Sequence, residues 1–160
     1  MKTDSLQKLP SLNMRSIFRC MMEDGYYPTF EQTHIQFNMD DTIAVVEYED
    51  GILSVMVFFS IDEDAYGLFL EASNSTMIET YSVKPTVLDD MKNLLFSCEM
   101  LCDNVREFRK FFPRMIAMLN EAISIHKEET RKLILASEIA NATIPAMDET
   151  MTGTNRKILS

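Results

Sequence analysis

The chain has 160 residues, 13 of them methionine, with 15 Lys+Arg against 25 Asp+Glu and a net charge of -10. That length suits one domain that buries its own core without a disulfide or metal staple, and so acidic a balance excludes the basic surface that nucleic-acid phosphates require. Three cysteines in no paired pattern, Cys20, Cys98 and Cys102, predict reduced thiols and a cytoplasmic protein; the absence of an apolar h-region or of a run near ~18 apolar residues predicts neither signal peptide nor membrane span.

In chain order, residues 1–10 read as a polar leader closed by Pro10. Ser11 is placed to cap a helix to about Asp24, with Gly25 as its stop. Met14, Ile17, Phe18 and Met21 recur at helical spacing and form one apolar stripe. The period then changes to two. Ile35, Phe37 and Met39 alternate with His34, Gln36 and Asn38, which predicts a half-buried strand. Asp40–Asp41 makes a turn, residues 43–48 a second strand, "EDG" a hairpin turn and residues 52–60 a third strand. Such short links require an antiparallel meander.

The third strand, "ILSVMVFFS", is more apolar than a strand with one wet face needs. It is either core on both faces or a surface that awaits a partner. Residues 61–64 are acidic and suit a helix start. Ala65, Leu68, Phe69 and Ala72 share a helical face, and "SNST" is expected to fray that helix. Residues 80–88, with Pro85, read as an edge strand, and "DDMKN" as a turn. Residues 93–101 fit a strand, by the alternation of Leu94, Phe96, Cys98 and Met100, and also a helix, by Leu94, Leu95, Cys98 and Leu101; the preceding turn and the aromatic content favour the strand. From Asn104 the period is helical again, with Val105, Phe108, Phe112, Met115, Ile116, Leu119 and Ile123 on one stripe. Pro113 is expected to kink or restart this helix. Residues 128–142 could form a separate helix with a thin stripe of Leu133, Ala136, Ile139 and Ala140, and residues 143–160 a mobile tail.

The expected architecture is therefore α+β, one domain, an antiparallel sheet of about five strands in the order α-β-β-β-α-β-β-α. The divisions are a leader (1–10), the α+β domain (11–125), a helical extension (126–142) and a tail (143–160).

On these residues the chain resembles the YbjN-like proteins and the type III secretion chaperone-like fold. The segments that carry the resemblance are "MMEDGYYPTF", "HIQFNMDDTIAVVEYEDGILSVMVFF", "DAYGLFLEASNS" and "FRKFFPRMIAMLNEAI", covering about Ser11–Ile125. The resemblance implies a non-enzymatic domain that binds protein, chaperone-like or regulatory in a bacterial cell, and a homodimer. It brings no catalytic residue set.

The residues themselves agree. No Gly-rich phosphate loop, nucleophile elbow or Walker pattern is present. His34 and His126 lie in different elements, and Cys98 and Cys102 lack the further ligands of a structural zinc, so neither cofactor nor metal is expected. "DEDAYG" lacks the spacing of a calcium loop. The methionines, spread over helices and strands, are expected mainly to fill the core. Candidate partner-binding residues are Val55, Val57, Phe58 and Phe59 on the apolar strand, and the basic stripe Arg106, Lys110 and Arg114 on the last helix. That stripe faces an acidic remainder: residues 1–103 hold 6 Lys+Arg against 18 Asp+Glu, and residues 104–160 hold 9 against 7. The other reading is a small-molecule sensor or enzyme that uses a pocket between sheet and helices.

Overall fold

A computed structural model describes residues 10–158, with side chains described through Ala142. The expected leader, up to residue 9, and the side chains of the expected tail lie outside the described residues. Helix α1 spans Met14–Glu23, strands β1–β4 span Thr29–Glu31, His34–Met39, Thr42–Glu49 and Ile52–Ser60, helix α2 spans Tyr66–Glu79, strands β5 and β6 span Val83–Val87 and Asn93–Leu101, and helix α3 spans Val105–Ile158. The six strands form one antiparallel sheet in the order β1-β2-β3-β4-β6-β5. The α+β class and the order of elements are as expected, with one added strand. β1 was not foreseen because its three residues, "TFE", are all exposed and carry no burial period.

Local chemistry explains the boundaries. Asn13, not Ser11, caps α1: its Oδ1 accepts from the Ser16 N–H at 2.9 Å, and Ser16 Oγ accepts from the Asn13 N–H at 3.0 Å. This reciprocal capping box satisfies two orphan donors. Ser11 instead bridges to Asn104 in the segment before α3. Gly25 ends α1 at φ +82°, with the Tyr26 N–H donating to the Met21 carbonyl and the Gly25 N–H to that of Met22, a Schellman closure. Between β3 and β4, Asp50 and Gly51 both have positive φ, 51° and 79°, as a tight hairpin turn with the strands' own twist demands. α3 starts with the Asn104 Oδ1 accepting from the Glu107 N–H, while the Glu107 carboxylate accepts from the Asp103 N–H at 2.7 Å.

Three expectations change. α2 does not fray at "SNST" but runs to Glu79, because Ser73 and Thr76 are buried and return their hydroxyl protons to the Phe69 and Ala72 carbonyls, each at 2.7 Å. Pro113 does not restart α3; the helix is continuous through it. The stretch 128–142 is no separate helix but the continuation of α3, whose 54 residues correspond to a length of about 80 Å at ~1.5 Å per residue.

All three helices lie on one face of the sheet. The covered face contributes Ile35, Phe37, Ala44, Val46, Leu53, Val55, Val57, Phe96 and Cys98, and the helices contribute Ile17, Met21, Phe108, Phe112, Met115 and Leu119, all buried. Tyr26, Phe37 and Phe112 meet edge-on or tilted at 5.0–5.8 Å between ring centroids, and Phe108 stacks on Phe112 at 4.8 Å. Arg109 ties α1 to α3 through Glu23 and Asp24. Met21, Met39 and Met115 fill the core, as expected of many methionines, whereas Met22 and Met77 are half exposed.

Val57→Asp is expected to lose several kcal/mol or fail to fold, because it places an unpaired charge at a fully buried position. Phe58→Glu, one residue on and on the opposite face, should cost no more than about 1 kcal/mol. Urea unfolding of both variants measures the difference.

Candidate functional site

Two features stand apart from the core: the uncovered face of the sheet, and a cavity between the sheet and α2 and α3.

The uncovered face is set by strand alternation and register. Val45 pairs with Met56 and Met56 with Ser97; Phe58 pairs with Leu95 and Leu95 with Thr86. Ile43 lies two residues from Val45 on the same face of β3. Ile43 and Phe58 are 58% and 45% exposed, and Val45, Met56 and Leu95 are partly buried by one another and by their neighbours. Toward the β3–β4 hairpin the same face turns acidic. Glu47 pairs with Ser54 and Ser54 with Glu99; Glu49 pairs with Ile52 and Ile52 with Leu101. Lys84 approaches Glu99 at 4.0 Å, an exposed pair worth little by itself.

The expected partner-binding residues separate on this geometry. Val55 and Val57 are fully buried under the helices and offer no surface, a correction that alternation along β4 requires. Phe58 lies on the open face. Phe59 faces the helices and lines the cavity. Arg106, Lys110 and Arg114 are exposed on α3, a helix that packs against the covered face, so they are not brought together with Phe58. Lys110 sits 5.8 Å from the Phe111 ring centroid. Sequence periodicity overlooked Ile43, Val45, Met56 and Leu95 as one surface; the signal was present, as apolar residues at the outward positions of three strands.

The cavity has a volume of about 250 Å³. Its walls are Phe59, Phe69, Leu94, Phe96 and Ile123, and its polar groups come from Ser60 and from His126, Lys127 and Thr130 on α3. His126, read from the sequence as an unconnected histidine, is 3% exposed. Its ring stacks on Phe69, with 6° between planes and 6.2 Å between centroids, and meets Phe96 edge-on at 5.2 Å. Nε2 lies 3.1 Å from Ser73 Oγ, and Nδ1 lies 3.4 Å from Thr130 Oγ1. The Ser73 hydroxyl donates to the Phe69 carbonyl, so its proton is committed there and Nε2 is the natural donor to Ser73. Burial pushes the His126 pKa down, with a smaller opposing pull from the Phe69 backbone. The imidazole is accordingly neutral at neutral pH.

Burial pushes the Cys98 and Cys102 thiols up to about 11, leaving them protonated and poor nucleophiles. Among the described residues, no group of three or more His, Cys, Asp or Glu is arranged to hold a metal ion, and no helix is long and apolar enough to cross a membrane.

No family model matches the chain, and no curated protein matches it by sequence. Among solved structures, that of YbjN from E. coli, described as a candidate transcription regulator, superposes with a TM-score of 0.62 over 78% of this chain and 97% of that one, at 12% identity. The chain has a YbjN-like fold. At that identity the likeness concerns the fold alone.

A buried neutral histidine makes stability depend on pH. The unfolded chain binds a proton at His126 near pH 6.5, whereas the folded chain does so only at lower pH, so the unfolded state holds more protons between the two values. Stability is expected to be full above pH 6.5, to fall as the pH drops below that value, and to level off beneath the folded pKa. Urea midpoints from about pH 7.5 to 5 should show that fall, and His126→Gln should flatten this part of the profile.

Proposed function

We propose that this chain is a non-enzymatic regulatory domain that binds a protein partner through the open face of its sheet. The observation that carries the reading is the apolar surface of Ile43, Val45, Met56, Phe58 and Leu95, at which no helix of the described chain is packed. Contiguous exposed apolar surface on a sheet marks an interaction site more often than a solvated face.

The chemistry around that surface specifies the partner. Glu47, Glu49 and Glu99 share the face with a single cation, Lys84. A second copy laid face to face would bring carboxylates against carboxylates with little to neutralise them. A segment that alternates apolar residues with Lys or Arg would fill the apolar part and pair with the acidic part. The edges of the sheet are poor sites for strand addition, since β1 has three residues and β5 carries Pro85. The face therefore suits an extended, basic, apolar segment lying across the strands. The chaperone-like part of the resemblance and the candidate-regulator description of YbjN both accord with such a role. A homodimer, if formed, would use another surface. The exposed α3 extension, with Ile134 and Leu135 each nearly half exposed, is the natural choice.

Fluorescence anisotropy with labelled peptides tests the reading. Peptides alternating Leu or Phe with Lys or Arg are expected to bind saturably, and the same peptides with Glu in place of the cations are not. Phe58→Glu should weaken binding by tenfold or more, in the range of a central interface residue at about 1.4 kcal/mol or above. Equal binding of both peptide sets, or an unaffected Phe58→Glu variant, would refute it.

A further inference from the structure

The cavity between sheet and helices has a composition that the protein-binding reading does not use. From it we infer that the chain binds a small aromatic carboxylate, with the ring inside the cavity and the carboxylate at Lys127. This inference rests on the cavity and not on the open sheet face, so the two can fail separately.

Size sets the first limit. A cavity of about 150 Å³ lined by apolar side chains is enough to take up benzene. At about 250 Å³, this cavity has room for one ring and a short substituent. Wall chemistry sets the second. Phe59 and Phe96 stand at 90° to each other with centroids 5.7 Å apart, and Phe69 and His126 form a parallel pair on the α2–α3 side. An entering ring can meet aromatic faces and edges together, the arrangements aromatic groups prefer.

Charge sets the third. His126 is neutral, its Nε2 is engaged by Ser73, and its Nδ1 lies 3.4 Å from a Thr130 hydroxyl whose proton goes to the His126 carbonyl. Lys127 is then the formal charge at the cavity, and it has no ion-pair partner within 4.0 Å among the described residues. Asp40 and Asp41 line a separate depression on the other side of Lys127 without pairing to it, and they hold the approach acidic. A lysine without an ion-pair partner lining a largely apolar cavity selects one negative charge there. Ser60 adds a hydroxyl that can donate to the same carboxylate, whereas the Thr130 hydroxyl donates to the His126 carbonyl at 2.8 Å. A dianion would meet Asp40 and Asp41 with no second cation to balance it, so the site fits a monoanion.

The test is a titration of the full chain, followed by NMR, with 3-phenylpropionate and, in parallel, its neutral amide. The acid is expected to shift the Leu94 and Ile123 methyl and His126 ring resonances saturably, and to bind more tightly than the amide. Lys127→Ala, an exposed substitution that leaves the core intact, should weaken the acid about threefold or more and leave the amide unchanged. Lys127→Glu should weaken the acid further. Absence of saturable shifts at those resonances with both probes would overturn the inference. So would equal affinity for acid and amide, or a Lys127→Ala effect of the same size on both. Peptide binding at the open face is measured separately and stands or falls on its own.

Discussion

The structure depends on one docking: the apolar stripe of α3 against the covered face of the sheet. Phe108, Phe112, Met115, Leu119 and Ile123 recur at helical spacing and are all buried. Each fully buried side chain of this size contributes on the order of 1.5–3 kcal/mol. α1 is fastened to the same helix by Arg109, and α2 by Ser73 at His126. With every described helix committed to one side, no helix among the described residues covers the other. The open face is a consequence of that commitment.

β4 carries the consequence most visibly. Pairing with β3 on one side and β6 on the other makes it a central strand, and its inward residues Leu53, Val55 and Val57 are buried completely. Its outward residues, Ile52, Met56 and Phe58, keep the apolar character of an interior strand while remaining in contact with water. That mismatch between composition and environment is what separates this face from an ordinary solvated one. Phe59, one residue along, belongs to the inner face and to the cavity. A single strand thus contributes to the core, to the cavity and to the open surface. Substitutions along it would report on each in turn.

Much of this was legible in the residues. The stripe Met14, Ile17, Phe18 and Met21, the alternation of residues 34–39, and the turns at Asp40–Asp41 and Gly51 each determine an element through one strong local rule. Where the rule was weaker, the reading failed in identifiable ways. "SNST" looked like a breaker because serine and threonine compete for backbone partners. Here Ser73 and Thr76 donate within the helix and are buried, and burial is a tertiary fact. Pro113 does not interrupt α3. Val55 and Val57 resembled a binding surface because their neighbours were apolar, and only the register shows which way each points. His126 carried no motif at all. Its importance comes from α2, 53 residues away in sequence, a distance over which local pattern carries no information.

The cavity and the open face lie on opposite sides of the sheet and share β4 and β6 as a common wall. Leu94 and Phe96 look into the cavity side, while Leu95 between them looks out. Any effect of one on the other would pass through these strands.

The central claim is that one face of the sheet is dry and the other wet and apolar. Solvent paramagnetic relaxation enhancement of methyl signals, with a neutral soluble probe, tests it most directly. Strong enhancement is expected at Ile43, intermediate enhancement at Val45, Met56 and Leu95, and almost none at Val46, Val55 and Val57. Equal protection of both sets in the purified chain would contradict the claim, because the outer face would then already be covered.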